Sequence, residues 1–210
     1  MAFRFWILST ASIFLSAQAP IVQPGAPGES GKTLTAAAVT VLPKAPAKAD
    51  VEFMQGMIMH HSQAVDMTAL MAARTHNKEL LAFGKRISIS QSDEMKYMKQ
   101  WLEERGKPVE MAMDHSKMDH SKMGAMTMMM PGMLSAEQMK ALAKATGPAF
   151  DHLFLTGMIQ HHGGALTMVK DLFDTPGAGQ DSQLFDFATD VDNTQRAEIN
   201  IMQGMLKGKK

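Results

Sequence analysis

One passage of this chain is written twice. Asp50-x-x-Phe53-x-x-Gly56-Met57-Ile58-x-His60-His61-x-x-Ala64-x-x-Met67 returns as Asp151-x-x-Phe154-x-x-Gly157-Met158-Ile159-x-His161-His162-x-x-Ala165-x-x-Met168, with every named position matching at a constant offset. A shorter passage follows each copy: Gln91-x-x-Glu94-x-x-x-Met98 and Gln195-x-x-Glu198-x-x-x-Met202. At about 100° per residue, Phe53, Met57, His60, Ala64, Met67 and Met71 fall on one stripe with His61 at its edge, and Ile87, Gln91, Glu94, Met98 and Trp101 share a face. Both passages therefore read as helices. The turn formers Thr75-His76-Asn77 and Thr175-Pro176-Gly177 separate them. Two helices cannot bury a face alone, but two hairpins can, so the duplication predicts an all-α four-helix bundle made of hairpins 49–107 and 134–206. Asp50 and Asp151 are expected N-caps. Ser135 to Ala145 reads as a short amphipathic helix, with Ser135 and Gln138 spaced as a capping box.

Composition narrows the chemistry. The 210 residues include 22 methionines and no cysteine, which rules out disulfides, thiolate zinc sites and a cysteine nucleophile. In an oxidising compartment a thiol is lost to disulfides, whereas a thioether remains a usable soft ligand. Formal net charge is zero, so there is no electrostatic case for nucleic acid or an anionic membrane surface. Aromatics are only 6%, which argues against a β-rich fold.

The first residues predict export. Arg4 precedes the apolar run Phe5 to Leu15, too short to span a bilayer comfortably, and Ala17-Gln18-Ala19 fits small-x-small cleavage. A signal peptide over 1–19 is the expectation, with an uncleaved anchor as the alternative and Pro20 an awkward neighbour for cleavage. Residues 20–48, rich in Ala, Pro, Gly and Lys, read as a disordered linker, and 207–210 as a basic tail. No later segment is apolar enough for stable membrane insertion. The expected location is periplasmic or secreted.

Residues three and four apart share a helix side, so Met57 can act with His60 or His61, and Glu94 and Met98 can meet them from the next helix. Met67 belongs to the same stripe. The second copy offers Met158, His161, His162, Met168, Glu198 and Met202. Thioether with imidazole is a soft-to-borderline donor set that suits Cu(I), and silver by analogy. Methionine at helical spacing is also ordinary core filler, and Gln91, Glu94 and their counterparts could orient an imidazole rather than touch a metal. Binding through histidine is expected to weaken toward about pH 6, where imidazole ordinarily protonates.

Between the hairpins, residues 108–133 form a Met/His-rich connector in which Met-Asp-His-Ser-Lys occurs twice in tandem. Its candidate ligands are Met113, His115, Met118, His120 and Met123. A period of five suits neither a helix face nor a strand face, and Pro131-Gly132 breaks any long helix. Flexible Met and His can wrap Cu(I) with soft donors. An adaptable partner-binding linker is the alternative.

The duplicated Phe-x-x-Gly-Met-Ile-x-His-His-x-x-Ala-x-x-Met motif, with Gln91 to Trp101-Leu102 after the first copy, resembles domain-of-unknown-function family three hundred and five. The resemblance covers about residues 49–206. It implies a ferritin-like bacterial bundle and a periplasmic or secreted protein that binds copper and supports metal tolerance. It implies the ligands Met57, His60, His61, Met158, His161 and His162. The second copy departs from the motif, with Met205-Leu206 for Trp-Leu. The expected function is a non-enzymatic copper buffer or carrier, with copper as Cu(I) or Cu(II), no organic cofactor, and another periplasmic copper protein or transporter as partner. A metal-free helical interaction module is the alternative. A di-iron protein is a weaker one, because Met57 and Met158 stand where Glu-x-x-His would need glutamate.

Overall fold

The computed structural model describes residues 21–23, 32–34, 45–111 and 130–208. Two units are distinguished, Met1–Lys44 and Ala45–Lys210. In the first, β1 (Ile21–Gln23) pairs antiparallel with β2 (Lys32–Leu34), Val22 opposite Thr33. These paired strands depart from the disordered linker expected over residues 20–48. The β-branched Ile21, Val22 and Thr33 favour the extended backbone found there. The expected signal peptide lies outside the described residues.

The second unit is helical: α1 (Lys48–Ala69), α2 (Met71–Arg74), α3 (Lys78–Glu104), α4 (Ala136–Lys144), α5 (Gly147–Asp174) and α6 (Ser182–Leu206). The long helices form two hairpins, α1 with α3 and α5 with α6, which meet chiefly through α1 and α5. The four-helix bundle is as the duplication predicts. Asn77 caps α3 by accepting from Leu80 N–H at 3.2 Å. Ser135 and Gln138 form the expected capping box at α4.

The two aspartate caps are corrected. Helix α1 starts one turn earlier than expected, and Asp50 reaches back to accept from Ala47 N–H at 3.0 Å and across to Gly179 N–H at 2.7 Å. Pro148, pre-set for a first turn, starts α5 ahead of Asp151, which instead accepts from Asn77 Nδ2 at 3.0 Å.

Trp101, from the motif that the second copy lacks, ties the hairpins together. Its indole N–H donates to Asp181 Oδ1 at 3.2 Å, and the Arg105 guanidinium lies 4.2 Å from its ring centroid while donating to Asp181 Oδ2 at 2.7 Å. Asp181 also caps α6 through Leu184 N–H.

The core comes in two pieces. One cluster joins Phe53, Met54 and Met57 of α1, Met98, Trp101 and Leu102 of α3, the second half of α5 and the first half of α6. The other joins Ala64, Met67 and Met71, Leu80, Phe83 and Ile87, the first half of α5, and Met202. Antiparallel helices place the middle of all four at one level, and apolar side chains are interrupted there.

Candidate metal centre

That level is a polar layer. His60 and His61 from α1, Gln91 and Glu94 from α3, His161 and His162 from α5, and Gln195 and Glu198 from α6 occupy it. Every histidine there has zero exposure, and the two glutamines have 2% each. The duplication builds it: each hairpin contributes His-His from one helix and Gln-x-x-Glu from the next.

Each His-His pair has one outer and one inner ring. His61 Nε2 lies 2.6 Å from Glu94 Oε2, and His162 Nε2 lies 2.6 Å from Glu198 Oε2. Glu94 is further fixed by Ser90 Oγ, which donates to Oε1 at 2.8 Å. The inner rings, His60 and His161, stack at 3.8 Å between centroids, tilted by 39°. His161 Nε2 donates to the His60 carbonyl at 2.8 Å, and His60 Nε2 donates to the Pro131 carbonyl at 3.0 Å.

In all four rings the acceptor lies at Nε2. A carbonyl or carboxylate oxygen accepts only, so these partners assign a proton to Nε2, and in the neutral ring the lone pair then lies on Nδ1. Among the described residues none of the four Nδ1 atoms has a hydrogen-bond partner, and all four are buried. Gln91 Oε1 and both amide atoms of Gln195 are equally unpartnered. Such a group ordinarily costs about 1–3 kcal/mol, a heavy load for a domain whose stability is about 5–15 kcal/mol.

Burial sets the charge of the inner rings. Desolvation, with the neighbouring His61, lowers His60 to about 3. Desolvation, with His60 and His162 beside it, takes His161 well below the ordinary imidazole value. Burial pushes the Glu94 carboxyl up, but the hydrogen bonds from His61 and from the Ser90 hydroxyl outweigh it and hold the carboxyl below its ordinary range. For His60 and His161, burial opposes the weakening expected toward about pH 6, because it favours the neutral ring.

The donor set fits a soft metal better than a hard one. Among the described residues no group of three or more His, Asp and Glu side chains is placed to hold a metal ion. Glu94 and Glu198 are engaged with imidazoles, the arrangement that orients a metal-binding histidine. Four buried imidazole lone pairs remain, with Met57 and Met158 one turn before the histidines and Met98 and Met202 one turn after the glutamates. All four methionines have zero exposure. Those on α1 and α3 flank the layer from one core cluster, those on α5 and α6 from the other.

The remaining predicted ligands lie elsewhere. Met67 is in the core against Gly157, two turns from His60. Met168 is half-buried beside Gly56. Met113, His115, Met118, His120 and Met123 lie outside the described residues. Sequence reasoning missed Pro131 as a partner of His60. Gly132, with φ +78°, and Gly164 explain how that carbonyl gets there: a Cβ on Gly132 would sit 2.5 Å from the Gln160 carbonyl oxygen, and one on Gly164 would sit 2.5 Å from Gly132 Cα. The paired glycines were the available signal, since a chain reaches a helix backbone this closely only where both sides lack Cβ.

Comparison with known structures agrees with the architecture. A DUF305 fragment from Deinococcus radiodurans is 27% identical, covering 78% of this chain and 99% of its own, with a TM-score of 0.64. CopM in its Cu(I)-bound form is 26% identical, covering 76% of this chain and 96% of its own, at 0.57. CopM in its Cu(II)-bound form is 25% identical, covering 77% and 97%, at 0.58. CopM has also been solved with silver bound. No curated protein matches the chain. Residues 50–206 match the family described as domain of unknown function DUF305, and the chain belongs to that family.

Proposed function

We propose that this protein is a copper-binding protein that takes up Cu(I), and silver by the same chemistry, at the polar layer of its bundle. The observation that carries the reading is the set of four buried imidazoles whose Nδ1 atoms have no partner among the described residues. A fold that bears this cost in the core gains it back when a Lewis acid binds. Cu(I) is the natural occupant of a neutral imidazole and thioether set, because it needs no carboxylate and tolerates low coordination.

The residues divide the work. His60, His61, His161 and His162 supply nitrogen; Met57, Met98, Met158 and Met202 supply sulfur from the flanking turns. Glu94, Glu198, the Pro131 carbonyl and the His60 carbonyl hold the ring protons at Nε2 and so keep Nδ1 open. The solved copper and silver complexes of CopM support the metal assignment.

The protein acts as a metal buffer or carrier in copper tolerance, not as an enzyme. It works after export, in the periplasm or outside the cell, and passes copper to another copper protein or a transporter. Its leading residues have signal-peptide character. Among the described residues no helix is long and apolar enough to cross a membrane.

The test is a Cu(I) competition titration against a colorimetric chelator under reducing conditions. The wild-type chain should capture at least one equivalent, and the paired variants H60Q/H161Q and H61Q/H162Q should each bind at least about tenfold more weakly. No capture by the wild-type chain would refute the proposal.

A further inference from the structure

Methionines also gather at a second place, one turn before His60 on α1. Gly56 on α1 is buried, and the point that a Cβ would occupy there is ringed by thioether atoms. Met130 Sδ lies 3.2 Å from that point, Met168 Cε 3.4 Å and Met111 Cε 3.9 Å. Met168 stands on α5. Met111 closes the described run that follows α3, and Met130 opens the next. The two ends of the Met/His-rich connector thus return to one spot on the bundle.

Both ends are anchored. Gln55, the neighbour of Gly56, donates through Nε2 to the Pro108 carbonyl at 2.7 Å and to the Glu110 carbonyl at 3.0 Å, which fixes the approach to Met111. The Pro131 bond to His60 and the Gly132–Gly164 contact fix the chain just after Met130.

The duplication supplies an internal comparison. Gly157 is the repeat mate of Gly56, and it is covered by Leu134 at 3.0 Å and Met67 at 3.3 Å. One aliphatic cap with one methionine is therefore enough to pack over this glycine. At Gly56 the repeat mate of Met67 is Met168, but the cap is two more thioethers from separate segments. Packing alone does not call for that substitution. Exposure differs as well: Met67 and Leu134 are buried, whereas Met111, Met130 and Met168 are each only half-buried, so an ion from solvent can reach them.

We propose that Met111, Met130 and Met168 form a thioether-only site for a soft monovalent cation, Cu(I) or Ag(I), distinct from the imidazole layer. Three neutral sulfur donors suit a d10 monovalent ion and leave hard divalent cations unserved. The unbranched methionine side chain can turn its sulfur inward without backbone movement. An ion held there joins Met111 and Met130 to Met168 of α5. The inference rests on the copper reading for its choice of ion, but not on the histidines.

The experiment uses the full chain, labelled with 13C at the methionine ε-methyl groups, and Ag(I) as a diamagnetic, redox-inert probe. The expected result is that the Met111, Met130 and Met168 methyl signals shift together within one equivalent, while Met67 stays in place. The variant M111L/M130L/M168L should keep its helical spectrum and bind one equivalent less than the wild type. A Met168 methyl signal unmoved at saturation, or a variant of unchanged stoichiometry, overturns the site. If the wild-type chain takes up neither Cu(I) nor Ag(I), the copper reading falls and this site with it. If metal binds but Met168 is silent, only this site falls.

Discussion

Adjacent glycines in α5 should respond in opposite directions to the same substitution. A Cβ at Gly163 meets nothing within 4 Å among the described residues. Gly163→Ala therefore gains only the helix propensity of alanine, a stabilisation of about 0.5–1 kcal/mol. At Gly164 the new Cβ would fall far inside van der Waals contact with the Pro131 carbonyl oxygen and 2.5 Å from Gly132 Cα. Those are backbone atoms, so the Pro131–Gly132 turn must move. His60 Nε2–H then loses its acceptor while still buried, at a cost of about 1–3 kcal/mol. The Leu134 backbone, held by Gln63 through bonds of 2.7 and 3.0 Å, is strained along with it. Net of the propensity gain, Gly164→Ala should destabilise by about 1–2 kcal/mol. In a domain of this size that lowers Tm by roughly 2–8 °C. Urea denaturation followed by circular dichroism, with both variants and the wild type side by side, gives the measurement. A Gly164→Ala variant as stable as Gly163→Ala would mean that the turn does not pack on α5 and that Pro131 does not fix the His60 tautomer.

Three other outcomes follow from the layer. The metal-free protein should lose stability as pH falls below about 6.5: the unfolded chain then protonates its imidazoles, while His60, lowered to about 3, and His161 stay neutral in the fold. The loss approaches about 1.4 kcal/mol per pH unit for each ring, and is absent above pH 7; Glu94 adds to it below its ordinary range. Flat urea midpoints between pH 7.5 and 5 would refute neutral burial of these rings. Glu94→Gln with Glu198→Gln should retain the fold and reduce Cu(I) affinity about 10–100-fold, because the amide no longer enforces Nε2–H; competition titration reads this directly. Gln195→Leu removes a buried amide whose two polar atoms have no partner, so it should raise metal-free stability by about 1 kcal/mol in the same urea assay.

Much of this site was legible in the sequence because duplication and helical period act together. Repeating Met-x-x-His-His on one helix and Gln-x-x-Glu on the next forces four histidines and two glutamates to one level of an antiparallel bundle. The role of glutamate as partner to imidazole, rather than as ligand, was one of two open readings, and the 2.6 Å bonds to His61 and His162 place it beside the ring. What stayed hidden depends on main-chain atoms and on contacts across long stretches of sequence. No side-chain pattern announces that the Pro131 carbonyl ends at His60, or that the His60 carbonyl accepts from His161. Asp50 and Asp151 misled because aspartate is favoured throughout a first turn as well as at its cap, and Pro148 overrode the second of them. The depth of imidazole desolvation depends on closure of all four helices, which no single segment reveals.

Anomalous diffraction at the copper edge, from crystals of the full chain loaded with Cu(I), addresses the imidazole layer most directly. The account predicts a copper peak between the two core clusters at bonding distance, about 2 Å, from at least one Nδ1 of His60, His61, His161 or His162. Copper found only at surface methionines, with the layer dry and every Nδ1 still unbonded, would contradict it.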